Sequence, residues 1–177
     1  MAKFVIVIGD GFNTVEQRSK FAYFIATQMK KQVASGFVVI GTSEALVPEG
    51  DTLKGLLLEA EKSYGSLSMS KIISVEERSA IIAEELKFAR KKLETIETFN
   101  IHGEHEIVIF YEESSVQTVK FFARKLFGGQ ITVTPFNSGK SYKEKLKQLF
   151  IVTPLAILAF HFPNFRWLQE KQRAVLG

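Results

Sequence analysis

Five times along the chain a short apolar run is followed by a longer stretch in which apolar residues return every three or four positions. The first run, Phe4 to Ile8, is unbroken and rich in β-branched residues, the pattern of a strand buried on both faces. Phe21, Ile25 and Met29 then recur at helical steps and predict a helix over about 14–32, capped by Asn13 or Thr14. A second run, FVVI, opens at Gly36 and ends at Gly41. After a loop from Thr42 to Gly50, Asp51 is expected to cap a helix with Leu53, Leu57, Ala60 and Tyr64 on one face and Gly65 at its end. KIISV is a shorter, more polar third strand. Ser79 then predicts the longest helix, Ala80 to about Thr98, with Ile82, Leu86, Ala89, Leu93 and Ile96 as its buried stripe. EIVIFY is the fourth strand. Ser114 and Gln117 fit a capping box for a helix that turns Val119, Phe122 and Leu126 inward and stops at Gly128-Gly129. QITVTPF is the fifth strand, and the residues from Tyr142 onward read as one or two helices interrupted near Pro154 and Pro163.

Such alternation predicts an α/β chain: a three-layer Rossmann-like fold with a five-stranded parallel sheet and helices on both faces. The polar character of KIISV and QITVTPF suits edges and favours the order 3-2-1-4-5, with 2-1-3-4-5 as the alternative. The 177 residues suit a single domain, with a core over 3–138 and a C-terminal helical segment over 140–177. The apolar fraction of 46% excludes a disordered chain, and the absence of cysteine excludes disulfides, thiolate catalysis and Cys-based zinc sites. The longest apolar stretch, Leu149 to Phe162, contains Pro154 and His161 and is shorter than the roughly 20 residues a spanning helix needs. With no signal-peptide pattern at the start, the expectation is a cytoplasmic protein without a transmembrane segment.

Ligands in open parallel sheets bind outside the carboxyl ends of the strands, so the candidate site residues are those of the βα turns. Gly9, Asp10, Gly11 and Asn13 form the first turn, where glycines let backbone N–H groups and a helix N-terminus approach an anion; Thr14 stands where a dinucleotide fingerprint has its third glycine. Ser43 and Glu44 leave the second strand, with Glu44 suited to ribose hydroxyls. Glu76, Arg78 and Ser79 follow the third, with Arg78 able to fork onto a carboxylate or phosphate, while Glu84 and Glu85 read as a solvated helix face. Glu112 and Ser114 belong to the fourth turn. If that turn lies beside the first, Asp10, Glu112 and Glu113 crowd one crevice and can recruit a divalent ion; the competing account is a capped helix start. His102 and His105 have a metal-like spacing but fall at the opposite edge, His161 reads as a core or boundary residue, and no metal site or Ser/His/Asp triad is expected.

Taken together these turns resemble the YdcF-like family, the SanA/ElyC/YdcF group of bacterial α/β proteins. IVIGDG matches its first strand and glycine turn, Ser43-Glu44-Ala45 its second loop, and EERSAIIAEE its third-turn signature at Glu76, Ser79 and Glu84. The similarity runs in element order over residues 4–135. The family's Asn-Thr pair is Ile81-Ile82 here, its second Asn is Glu85, and Ser115 and Thr118 stand where its fourth turn has His and Arg. The resemblance implies the 3-2-1-4-5 sheet and a nucleotide-like ligand such as S-adenosylmethionine, without a settled reaction. The membrane anchors of some members find no counterpart. Three readings follow: a small-molecule binding domain, a divalent-ion-dependent hydrolase or transferase, and a non-catalytic interaction protein with a degenerate site.

The net charge of +4 is carried by the last stretch, where Lys140, Lys143, Lys145, Lys147, Arg166, Lys171 and Arg173 face only Glu144 and Glu170. No specific nucleic-acid motif accompanies them. Leu146, Leu149, Phe150 and Ile157 are expected to dock this segment on the helical layer, leaving the lysines as a solvated face or a contact for an acidic surface.

Overall fold

In β1 (Ala2–Ile8) successive side chains enter two different hydrophobic layers, as the period-two geometry of a strand requires. Phe4, Ile6 and Ile8 go to one, Val5 and Val7 to the other, and all five are fully buried. The computed structural model describes residues 1–9, 12, 14–30, 34–42, 49–64, 72–77, 82–96, 99–100, 103–127 and 130–161. Within these, β1 is joined by β2 (Gly36–Thr42), β3 (Ile72–Glu77), β4 (His105–Glu112) and β5 (Gln130–Phe136). All pairings are parallel, in the order β3-β2-β1-β4-β5. Val5 lies between Phe37 and Val108, and Phe4 between Gly36 and Ile107. The chain is thus α/β with a parallel sheet, consistent with a Rossmann-like fold.

Helices cover both faces. α1 (Val15–Met29) and α2 (Glu49–Tyr64) bury Phe21, Ile25, Met29, Leu53, Leu57 and Ala60 against Val5, Val7, Phe37 and Val39. On the other face α3 (Ile82–Leu93) and α4 (Val116–Leu126) bury Leu86, Ala89, Leu93, Val119 and Phe122 against Phe4, Ile6, Ile8, Ile107 and Ile109.

Several element ends differ from the sequence-based expectation. α2 starts at Glu49, so Asp51 lies inside its first turn rather than at the cap. α3 ends at Leu93 rather than near Thr98, because Thr95 and Ile96 close onto Lys92 and Leu93 by bonds three residues back. Ser79 and Ala80, its expected start, lie outside the described residues, as do Gly65, Thr98, Gly128, Gly129 and Pro163. The Ser114–Gln117 capping box does not form. A 3₁₀ turn over Glu113–Ser115 intervenes, and the carboxylate of Glu112 accepts the Ser114 N–H instead.

The C-terminal segment stays helical from Tyr142 to His161 as α5 (Tyr142–Lys147), a π turn (Gln148–Val152) and α6 (Thr153–His161). Proline inside a helix loses a donor and crowds the carbonyl four residues back. Here the wide turn absorbs Pro154: the Thr153 N–H donates to the Gln148 carbonyl, five residues back, and the Thr153 hydroxyl donates to the same oxygen at 3.0 Å. Docking differs from expectation. Val152, Thr153 and Ala156 are buried, and the Thr153 and Thr118 hydroxyls share a hydrogen bond of 2.6 Å, while Leu146, Leu149 and Phe150 are exposed. Among the described residues no helix is long and apolar enough to cross a membrane.

Candidate functional site

The carboxyl ends of β1 and β4 are neighbours in the sheet, and the turns beyond them define the candidate site. β4 ends at Glu112, whose side chain is completely buried. A buried carboxylate is costly unless paired and hydrogen-bonded, and both of its oxygens are engaged. Oε1 accepts from the Ser138 hydroxyl at 2.8 Å. Oε2 accepts from the Ser114 N–H at 3.1 Å, from the Ser114 hydroxyl, and from the Lys140 ammonium at 3.4 Å.

The loop after β5 supplies these partners. Phe136, the last residue of β5, packs against Phe12, Phe21 and Phe24 at ring separations of 5.8, 5.2 and 5.4 Å, which holds the end of the strand beneath α1. From there Asn137 Oδ1 accepts the Gly139 N–H at 2.9 Å, and Gly139 adopts φ 79°, a left-handed conformation that favours glycine. This turn sends Lys140 back over β4. Gln17 of α1 completes the bridge, donating from its side-chain amide to the Ser138 carbonyl at 3.3 Å.

The neighbouring acid is engaged in the same way. Glu113 pairs with Lys145, and the Gln148 amide donates to the Ser115 hydroxyl at 2.8 Å. Ser141 and Glu144 form a capping box at the start of α5, and hydrogen bonds from the Ser141 hydroxyl and N–H hold the Glu144 carboxyl below the ordinary glutamate range. Of the acidic crevice expected for a divalent ion, Glu112 and Glu113 face Lys140 and Lys145 from the C-terminal segment. Asp10, its third member, lies outside the described residues. Among the described residues no group of three or more His, Cys, Asp or Glu side chains is placed to hold a metal ion.

The first turn is also reassigned in part. The Gly9 N–H donates to the Ile40 carbonyl at 2.9 Å, so it is not offered to an anion. A Cβ at Gly9 would lie 2.9 Å from Leu53 Cδ2, so close packing of α2 accounts for the glycine. Thr14 caps α1, accepting the Gln17 N–H at 3.2 Å, and Phe12 is buried with its carbonyl accepting from Arg18 at 3.0 Å. Gly11, Asn13, Ser43, Glu44, Arg78 and Ser79 lie outside the described residues. Glu76 stands at the same edge, in register with Gly41. Glu85, expected on a solvated face, is buried.

At the opposite edge His105 is the first residue of β4, buried between Phe4 and Phe99 with ring separations of 6.3 and 5.1 Å. It is a core residue. Its spacing partner His102 lies outside the described residues, and His161 is exposed at the end of α6, 6.0 Å from the Phe121 ring.

Sequence reasoning singled out Glu112 and Ser114 but missed Gln17, Ser138 and Lys140. The turn signal Asn137-Ser138-Gly139 and the lysine-rich stretch after it were the available clues. No protein-family model matches this chain, and no curated protein matches it.

Proposed function

We propose that this chain is a YdcF-like protein of the 3-2-1-4-5 Rossmann-like kind that binds a nucleotide-like small molecule at the carboxyl edge of its sheet. The observation carrying this reading is the reversal at β1. One neighbour continues toward β2 and the other toward β4, with α1 and α2 packed on one face and α3 and α4 on the other. Such a reversal opens a crevice outside the strand ends. On the β4 side Glu112, Ser138 and Lys140 are committed to one another, so the ligand is assigned to the turn after β1 and the loop after β2. There Asp10, Gly11, Asn13, Ser43 and Glu44 stand in the sequence, with Glu76, Arg78 and Ser79 beyond. S-adenosylmethionine fits the family resemblance. Its ribose hydroxyls would fall to Glu44, and its charged end to the first turn, without help from the Gly9 N–H.

A second reading, a non-catalytic interaction protein, is favoured by the inward commitment of Gly9 and Glu112. The divalent-ion hydrolase or transferase draws no support from Glu112 or Glu113, whose carboxylates already have protein partners. Thermal-shift measurements with S-adenosylmethionine and a nucleotide series distinguish the two supported readings. A ligand at 100 times its dissociation constant adds about 2.7 kcal/mol of stability, and Asp10→Asn and Glu44→Ala are expected to abolish the shift. No shift with any of these ligands removes the binding reading and leaves the interaction protein.

A further inference from the structure

The segment from Tyr142 to Leu158 leaves its largest apolar side chains uncovered: Tyr142 is 77% exposed, Phe150 69%, Ile151 46%, Leu158 45%, Leu149 44% and Leu146 36%. Lys143 and Lys147 are exposed on the same segment, and with Glu144, Leu146, Phe150 and Ile151 they line one open groove. We propose that this face docks on an anionic phospholipid surface, with Leu146, Phe150 and Ile151 entering the headgroup boundary and Lys143 and Lys147 meeting lipid phosphates.

Charge and shape both favour this occupant. Lys140 and Lys145 turn inward to Glu112 and Glu113, and the nearest acid, Glu144, is tied to Ser141. The outward face therefore combines aliphatic and aromatic bulk with two ammonium groups against the single Glu144 carboxylate, a net positive charge. Lysine stems lie along apolar surface while their heads reach phosphate, which is how basic amphipathic helices sit in an interface. The sequence immediately beyond continues the mixture, with Phe162, Phe165, Trp167 and Leu168 among Arg166, Lys171 and Arg173. A second copy of this chain would bring together two faces that each carry two lysines against one Glu144, and so the same net charge. Nucleic acid would neutralise the lysines but leave Leu146, Phe150 and Ile151 in water, since its contacts are polar and phosphate-dominated.

The test is co-flotation of the full chain with vesicles of phosphatidylcholine alone and of phosphatidylcholine with 30% phosphatidylserine, the latter also across a salt series. Expected is binding to the anionic vesicles that weakens with salt, with little binding to the neutral ones. Lys143→Gln/Lys147→Gln should weaken it at least tenfold, given roughly fivefold for each lysine near such a surface. Phe150→Ser/Ile151→Ser should abolish it while the melting curve stays that of the parent, because both residues are already exposed. Equal binding to neutral vesicles, or no binding to anionic ones, overturns the proposal. So does binding indifferent to Phe150→Ser/Ile151→Ser but lost with the lysines, which marks a polyanion such as nucleic acid. A dimer in light scattering that this apolar variant dissolves, without vesicle binding, marks a second copy instead.

Discussion

The two ends of β4 bury a polar side chain with opposite outcomes. At the amino end His105 sits between Phe4 and Phe99, and neither ring nitrogen has a hydrogen-bond partner among the described residues. At the carboxyl end Glu112 is equally buried, yet Ser114, Ser138 and Lys140 engage both of its oxygens. The imidazole is used as an aromatic plate. The carboxylate is used as an anchor, drawing the loop after β5 and the start of α5 onto the sheet's carboxyl edge. Burial alone does not mark a functional group; the number and origin of its partners show what the group organises.

The largest effect should come from removing the anchor itself. Glu112→Ala strands Lys140, Ser114 and Ser138 together, and breaking a buried pair costs about 3–5 kcal/mol. Because the Lys140 side chain is 30% exposed and can rehydrate, the expected loss is at the low end, about 3 kcal/mol, read by urea denaturation. A loss below about 1 kcal/mol would show that the loop holds its place without the carboxylate. Lys140→Ala removes only the ammonium and leaves the hydroxyl and N–H donors. A smaller loss of about 1–2 kcal/mol is expected, against less than about 0.5 kcal/mol for the exposed Lys143→Ala.

At the other end the sign should reverse. His105→Leu keeps much of the side-chain volume and removes two buried nitrogens that have no partner among the described residues, so stability should rise by about 1 kcal/mol, net of lost ring contacts with Phe4 and Phe99. Destabilisation on the same denaturation assay would mean that the imidazole bonds to a group outside the described residues. The smallest effect concerns pH at the α5 cap. The Ser141 bonds lower the folded-state pKa of Glu144, so the cap's stabilisation is fully present above the ordinary glutamate value of 4.5 and is lost as pH falls through the lowered value. Protection of the amides at the start of α5, taken relative to their intrinsic exchange rate at each pH, should fall in that acid range in the parent, and Glu144→Gln should remove the dependence.

The apolar runs of β1, β2 and β4 and the helical stripes Phe21–Ile25–Met29 and Leu86–Ala89–Leu93 were legible from the sequence, because side-chain period is a local property of a strand or helix. They determined an α/β chain with a parallel sheet, and the carboxyl edge as the place to look. Element ends were less legible. Glu112 caps the 3₁₀ turn that precedes α4, α4 itself starts after Ser115 without a side-chain cap, and Pro154 is accommodated by a π turn rather than a break. Of the candidate site, Glu112 and Ser114 could be named, but their use could not. Gln17, Glu112 and the loop carrying Ser138 and Lys140 are far apart along the chain and meet only because β1, β4 and β5 are parallel neighbours whose carboxyl ends lie side by side. The same holds for Leu146, Leu149 and Phe150, whose helical spacing reads as a core stripe in sequence. Only the tertiary structure, by docking Val152, Thr153 and Ala156 instead, decided that this stripe faces outward, because which face of a helix is buried depends on what it packs against and not on its own periodicity.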